Sequence, residues 1–176
     1  YDEKSKKCYI PNKEVAGEWI NAVKDNQWQE IVNTIQSSEK LLEHTLACDA
    51  DKVAKSIDAA HVENTSILSY NDENSLSCVL SIAYIYAKND YIIHRELPTG
   101  KGFADLVFVP RPYVDKPAMI VELKYDKDAD TAIEQIHRKE YKGKVLEYTD
   151  NLLLVGINYD KDTKKHSCII EKYVEE

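Results

Sequence analysis

The chain has no run of eighteen consecutive apolar residues, so no segment reads as a membrane-spanning helix. Its first residues, Tyr1-Asp2-Glu3-Lys4-Ser5-Lys6-Lys7, lack the apolar centre of a secretion signal. They also lack an initiator methionine, which points to a piece of a longer protein or a processed chain. There is no C-x-x-C: Cys8, Cys48, Cys78 and Cys168 are widely scattered, with no histidine at finger spacing. They are expected as free thiols in a reducing cytoplasm rather than as disulfides or zinc ligands. G-x-x-x-x-G-K-[ST] and G-x-S-x-G are both missing, which leaves a P-loop enzyme or a serine hydrolase within this chain without support.

A basic excess is missing too. The net charge is −8, which argues mildly against a large nucleic-acid surface. Its distribution softens that conclusion. From Tyr91 onward 14 Lys+Arg stand against 16 Asp+Glu, whereas the first ninety residues carry 9 against 15. A basic groove in the second half remains compatible with the total.

What is present is a globular composition, 43% hydrophobic and 31% charged over 176 residues, enough for one domain with a helical appendage. Ile10 to about Ala60 reads as helical, with Val15, Trp19, Ile20 and Val23, then Trp28, Ile31, Val32 and Ile35, at helix spacing. Leu41, Leu42, Thr45 and Leu46, then Val53, Ala54 and Ile57, form a further pair broken near Cys48-Asp49. Trp19 and Trp28 read as core anchors, and His44 and His61 as surface or core-edge residues. After a polar stretch, the most apolar helix of the chain runs from Asp72 to about Lys88 and must pack across a sheet.

Tyr91–Leu97 is a strand ended by Pro98-Thr99-Gly100. Gly102–Val109 and Ala118–Lys124 are β-branched or aromatic runs bounded by Gly or Pro, joined by a loop from Pro110 to Pro117. If Val109 and Ala118 close that loop, opposed residues have numbers summing to 227. Leu106 then meets Val121 and Phe108 meets Met119 on an apolar face. The other face sets Asp105 against Glu122, roughly 5 Å apart at Cβ, with Lys124 on the same side. Two opposed carboxylates in a half-buried sheet repel, so something cationic belongs between them. A divalent metal with oxygen ligands is the natural candidate. The alternative is that Lys124 pairs with Asp105 or Glu122 and holds the acids without any metal. A further helix carries Ala132, Ile133 and Ile136 inward, with Asp128 as N-cap, and two more strands, Leu152–Ile157 and Ser167–Tyr173, complete the sheet.

Asp105 followed by Glu122-Leu123-Lys124, an E-x-K on the next strand, resembles the PD-(D/E)XK nuclease-like superfamily. Asn74-Ser75-Leu76-Ser77-Cys78-Val79-Leu80, Gly100-Lys101-Gly102-Phe103-Ala104-Asp105 and Val121-Glu122-Leu123-Lys124-Tyr125 are similar to one branch of it. That branch commonly follows an AAA-ATPase-like domain in bacterial proteins. The resemblance implies an α/β, restriction-endonuclease-like core: a helix, a three-stranded antiparallel meander, a crossover helix and two further strands. It implies a division into residues 1–65, a helical extension or linker from an upstream AAA-ATPase-like domain, and residues 66–176, the nuclease-like domain.

The activity implied is hydrolysis of phosphodiester bonds in nucleic acid, with DNA as the expected substrate, in the cytoplasm and without a membrane partner. Asp105 and Glu122 would hold Mg²⁺ (or Mn²⁺) together with the Leu123 carbonyl, and Lys124 would steady the phosphate or orient water. Glu73 would be a third acid leaning over the metal, although an acid in a first helical turn also complements the helix dipole. Related end-cutting nucleases carry Gln-x-x-x-Tyr on the crossover helix. Gln135 and Tyr141 stand here instead, six residues apart, which places them off a common helical turn. The alternative to catalysis is a nucleic-acid-binding or regulatory module that keeps the nuclease fold and cuts nothing.

Overall fold

The computed structural model describes residues 26–64, 73–99, 102–138, 145 and 151–173, with side chains for 29–62, 75–96, 104–138, 145 and 151–173. Trp19 lies outside the described residues, as does the Trp28 side chain. Residues Tyr1–Gln36 and Ser37–Glu176 form two compact units. In the first, α1 (Asn26–Leu46) carries an exposed Gln29–Asn33 hydrogen bond of 2.9 Å across one turn.

In the second unit, Leu41, Leu42 and Thr45 of α1 are buried. The helix stops before Cys48, whose φ of 58° is left-handed, and α2 (Ala50–Asn64) begins after the turn. That is the break expected at Cys48-Asp49. Helix α3 (Glu73–Ala83) buries Leu76, Val79, Leu80 and Ala83. It is shorter than the sequence suggested: Ile85–Asn89 is a 3₁₀ turn. The tighter winding has a packing reason, since a three-residue repeat turns both Tyr84 and Ala87 inward. The Tyr84 hydroxyl hydrogen-bonds Thr45 at 2.8 Å, and its burial raises the phenol pKa.

Five strands follow among the described residues: β1 (Tyr91–Thr99), β2 (Gly102–Pro110), β3 (Ala118–Tyr125), β4 (Leu152–Asp160) and β5 (Lys165–Lys172), neighbours in that order. The first three form an antiparallel meander. Helix α4 (Ala129–Arg138) lies between β3 and β4, which are parallel, and β5 returns antiparallel to β4. The order helix, three strands, helix, two strands is the one read from the sequence. The hairpin register is too, with Leu106 opposite Val121, Val107 opposite Ile120 and Phe108 opposite Met119.

Alternation along β3 sorts its side chains onto two cores. Met119, Val121 and Leu123 join Leu76, Leu80, Tyr84 and Phe108 on one face. Ala118 and Ile120 join Ile133 and Ile136 of α4, with Leu152 and Leu154, on the other. On the first face α2 is tied to β5 by Asp58, whose Oδ1 accepts both the His166 main-chain N–H at 2.9 Å and its Nδ1–H at 2.8 Å. His61 packs against the rings of Tyr159 and His166, and burial lowers the pKa of both histidines. Cys168, in the same region, is a thiol whose pKa burial pushes up to about 12, so it stays protonated and inert. Cys48 and Cys78 are likewise free thiols.

Helix α4 reaches the sheet closely because β4 has a glycine beneath it. A Cβ on Gly156 would stand 2.6 Å from the Ala129 carbonyl oxygen and 2.9 Å from Ile133 Cγ1. The first contact is with backbone and cannot rotate away. Gly156→Ala is therefore expected to lower unfolding stability by about 2 kcal/mol or more, as overpacked cores do. A urea midpoint unchanged by the substitution would mean that α4 can lift off the sheet at no cost.

Candidate active site

Along β3 the burial pattern is continuous, and it includes two charged residues: Glu122 is 1% exposed and Lys124 5%. Alternation puts both on the α4 face, beyond the apolar layer of Ala118 and Ile120. Their partners on β4 are Gly156 for Glu122 and Asn158 for Lys124. The bare surface of Gly156 thus does two things. It lets the first turn of α4 settle on the sheet, and it does so beside the Glu122 carboxylate.

A carboxylate removed from water needs compensation in kind. The Lys124 ammonium supplies part of it, with Nζ 3.4 Å from Glu122 Oε1 and 2.8 Å from the carbonyl oxygen of Leu123. The same residue is also held from β2: the Leu123 N–H donates to Asp105 Oδ2 at 2.8 Å. Two of the three residues singled out from the sequence therefore meet on one main-chain residue, Leu123, whose N–H meets Asp105 and whose C=O meets Lys124, and Lys124 links the third, Glu122.

Asp105 reaches that position because β2 loses its regularity there. The β2–β3 pairing ends at Leu106–Val121, so Asp105 and Glu122 are not ladder partners as the register had implied. On the other edge the β1–β2 pairing runs from Tyr91–Pro110 to Arg95–Leu106, passes over Glu96 and Asp105, and resumes at Leu97–Ala104. Glu96 has a φ of 51°, left-handed and uncommon for a glutamate. With the ladder interrupted, the side chain of Asp105 takes an N–H where a main-chain oxygen of β2 would otherwise serve. A carboxylate offers roughly four lone-pair positions, so this bond aims Asp105 without exhausting it. Backbone irregularity of this kind gathers at functional sites.

Glu73 is the first residue of α3, and its side chain lies outside the described residues. Tyr141 lies outside them altogether. Gln135 is half-buried on α4, on the helix that carries Ala132 and Ile136 inward. Helix α4 starts as expected, since Asp128 Oδ1 accepts the Thr131 N–H at 2.6 Å. That bond and the one from the Thr131 hydroxyl hold the carboxyl below its usual range.

Two features escaped the sequence reading. Asn158, buried beside Lys124, accepts the Lys127 N–H at 3.0 Å and donates to the Lys127 carbonyl at 3.1 Å. It clamps both sides of the residue that turns β3 toward α4. A lone amide in the apolar run Leu152–Tyr159 was the available signal. Asp126, Asp160 and Asp162 also place carboxylate oxygens within 4.8 Å of one another, at the ends of β3 and β4. Residues 126 and 160 meet only through the parallel register, so spacing gave no hint. This cluster differs in kind from the first. Lys161 already pairs with Asp126, and Asp160 accepts the N–H groups of Asp162 and Thr163 in its own turn.

The site has the donors a hard divalent cation takes: a buried carboxylate, a carbonyl and a second carboxylate on the adjoining strand. That an ammonium already bridges Glu122 and the Leu123 carbonyl shows that a cation fits between those oxygens. The family model of the PD-(D/E)XK nuclease superfamily matches residues 72–168, which includes this constellation and all five strands as far as Cys168. The chain belongs to the PD-(D/E)XK nuclease superfamily. No curated protein matches the chain.

Asp105 stands on β2, and Glu122 and Lys124 stand on β3. Asp105→Ala is expected to cost about 1–3 kcal/mol, because it strands the buried Leu123 N–H. Asp105→Asn keeps an acceptor and should cost less than about 1 kcal/mol. Equal losses on denaturant unfolding would instead place the cost on the lost charge, and so on an ion pair with Lys124.

Proposed function

We propose that this domain hydrolyses phosphodiester bonds in nucleic acid, DNA being the substrate, with Mg²⁺ or Mn²⁺ as cofactor. The observation that carries the reading is that Asp105 and Lys124 hold the two polar groups of Leu123 while the Lys124 ammonium also pairs with the buried Glu122. Three charged groups on two strands are not linked through one buried peptide segment by apolar packing alone. Asp105, Glu122 and the Leu123 carbonyl would hold a divalent cation, which when bound would supply Lewis-acid activation of water and neutralise phosphoryl oxygens.

The remaining roles fall to the chain itself. Lys124 is a point charge that cannot ligate metal and that stabilises charge developing on the phosphoryl group. Asp105 fixes the Leu123 backbone, so the carbonyl on the next peptide group is aimed before substrate arrives. Asn158 keeps the turn after Lys124 in place, and Gly156 allows α4 to close over Glu122. Gln135 and Tyr141 on and after α4, and Glu73 at the start of α3, are assigned to the same site. An upstream AAA-ATPase-like domain, a boundary near residue 65 and a cytoplasmic location complete the proposal. No helix of the described residues is long and apolar enough to cross a membrane.

A second reading, a nucleic-acid-binding or regulatory module without catalysis, is favoured by the Lys124–Glu122 ion pair itself, which neutralises the carboxylate internally. Incubation with labelled single- and double-stranded DNA and RNA in Mg²⁺, Mn²⁺ or EDTA separates the two. Metal-dependent cleavage is expected, with Lys124→Ala reducing it about a hundredfold, equivalent to on the order of 3 kcal/mol, without loss of metal binding. Glu122→Ala is expected to lose both. Glu73→Gln should cost activity only in part. Wild type and variants equally inert on every nucleic acid with every metal would favour the binding module.

A further inference from the structure

The Lys124 ammonium occupies the oxygens that the proposed cofactor needs. Its Nζ lies 2.8 Å from the Leu123 carbonyl oxygen and 3.4 Å from Glu122 Oε1, so two of the three donors assigned to a divalent ion already hold a cation. The group is only 5% exposed. At that depth charges interact far more strongly than in water. A singly and a doubly charged cation sharing one buried carboxylate and one carbonyl would repel across a few ångströms with little screening. Mg²⁺ binds oxygens at about 2.0–2.1 Å and accepts little distortion, which leaves no room for the ammonium on the same lone pairs. The lysine stem is flexible, with four methylene carbons to carry its head elsewhere.

We propose that Lys124 is the resident cation of this site, and that its ammonium must leave Glu122 and the Leu123 carbonyl for a divalent ion to bind there. The proposal rests on the metal site argued above and adds its regulation. Without the ion, the site is neutralised from within and the buried Glu122 carries no uncompensated charge. With the ion, Lys124 is released, so that filling the site and freeing the ammonium for a phosphate oxygen are one event. Because the two states exclude each other, the lysine weakens the ion's affinity below what the oxygen donors alone would give.

Two measurements test this. The first is Mn²⁺ binding by calorimetry at pH 8 for wild type, Lys124→Met and Glu122→Gln, with folding checked by circular dichroism. Lys124→Met is expected to bind Mn²⁺ on the order of tenfold more tightly than wild type, a typical size for coupled sites, and Glu122→Gln to lose binding. If Lys124→Met does not fold, Lys124→Gln replaces it, with the same expected direction. The second needs no variant. Acylation of Lys124 by an amine-directed reagent, followed by mass spectrometry, should be slow in EDTA and several-fold faster in saturating Mn²⁺. Equal or weaker Mn²⁺ binding by the lysine variant, with Glu122→Gln still losing the ion, would overturn the exchange and leave the metal site standing. Acylation of Lys124 unchanged by bound Mn²⁺ would also overturn the exchange. No Mn²⁺ binding by wild type or lysine variant would overturn the metal site and the exchange together.

Discussion

A carboxylate buried in the middle of a sheet is the constraint on which this site depends. Glu122 sits at 1% exposure, in a strand whose other residues are almost all apolar. Removing one partner from such a buried pair typically costs about 3–5 kcal/mol, because the charge left behind cannot return to water. Lys124 at i+2 is the nearest compensating charge the strand can offer, since alternation returns it to the same face. The pair is a poor way to gain stability, because hydrophobic residues of similar size would serve as well or better. Its presence in a sheet core is therefore better explained by chemistry than by folding.

The surrounding elements serve that arrangement. Gly156 removes the side chain that would hold α4 away from Glu122. Asn158 secures the Lys127 peptide groups where β3 turns into α4. On the far side of the sheet the larger core, from Leu41 and Ile57 through Phe108 and Met119, anchors β2 and β3 against α2 and α3. Leu106, Val107 and Phe108 of β2 are paired on both sides, whereas Gly102, Phe103 and Ala104 are paired with β1 alone and Asp105 lies between the two stretches. The side chain aimed at Leu123 thus stands at the boundary between a fixed ladder and an interrupted one.

The frame was readable in the sequence because it follows from period. Apolar alternation set the hairpin register, and Gly and Pro marked the ends of its strands. Asp128 announced the start of α4. The details of the site were less readable, and for a physical reason. Register reasoning assumes a continuous ladder, so it set Asp105 opposite Glu122 and anticipated repulsion relieved by a cation. The ladder instead breaks at Glu96 and Asp105, and the aspartate meets a backbone N–H. Sequence alternation cannot announce a left-handed glutamate, because nothing in its composition marks it. Asn158 and the Asp126, Asp160 and Asp162 group depended on which strand would lie parallel beside β3, a fact settled by the crossover rather than by any local pattern. The resemblance to the superfamily rested on the residues that the family model spans, and it supplied the chemical meaning of E-x-K that periodicity alone could not.

The most direct test of the metal site is diffraction from crystals grown with Mn²⁺, using anomalous differences to locate the ion. A site built on Glu122 requires a peak bounded by Glu122, Asp105 and the Leu123 carbonyl, and the exchange further requires that the Lys124 ammonium has left those oxygens. Density for Mn²⁺ only at Asp126, Asp160 and Asp162, or none at either place with Lys124 still seated on Glu122, would contradict it.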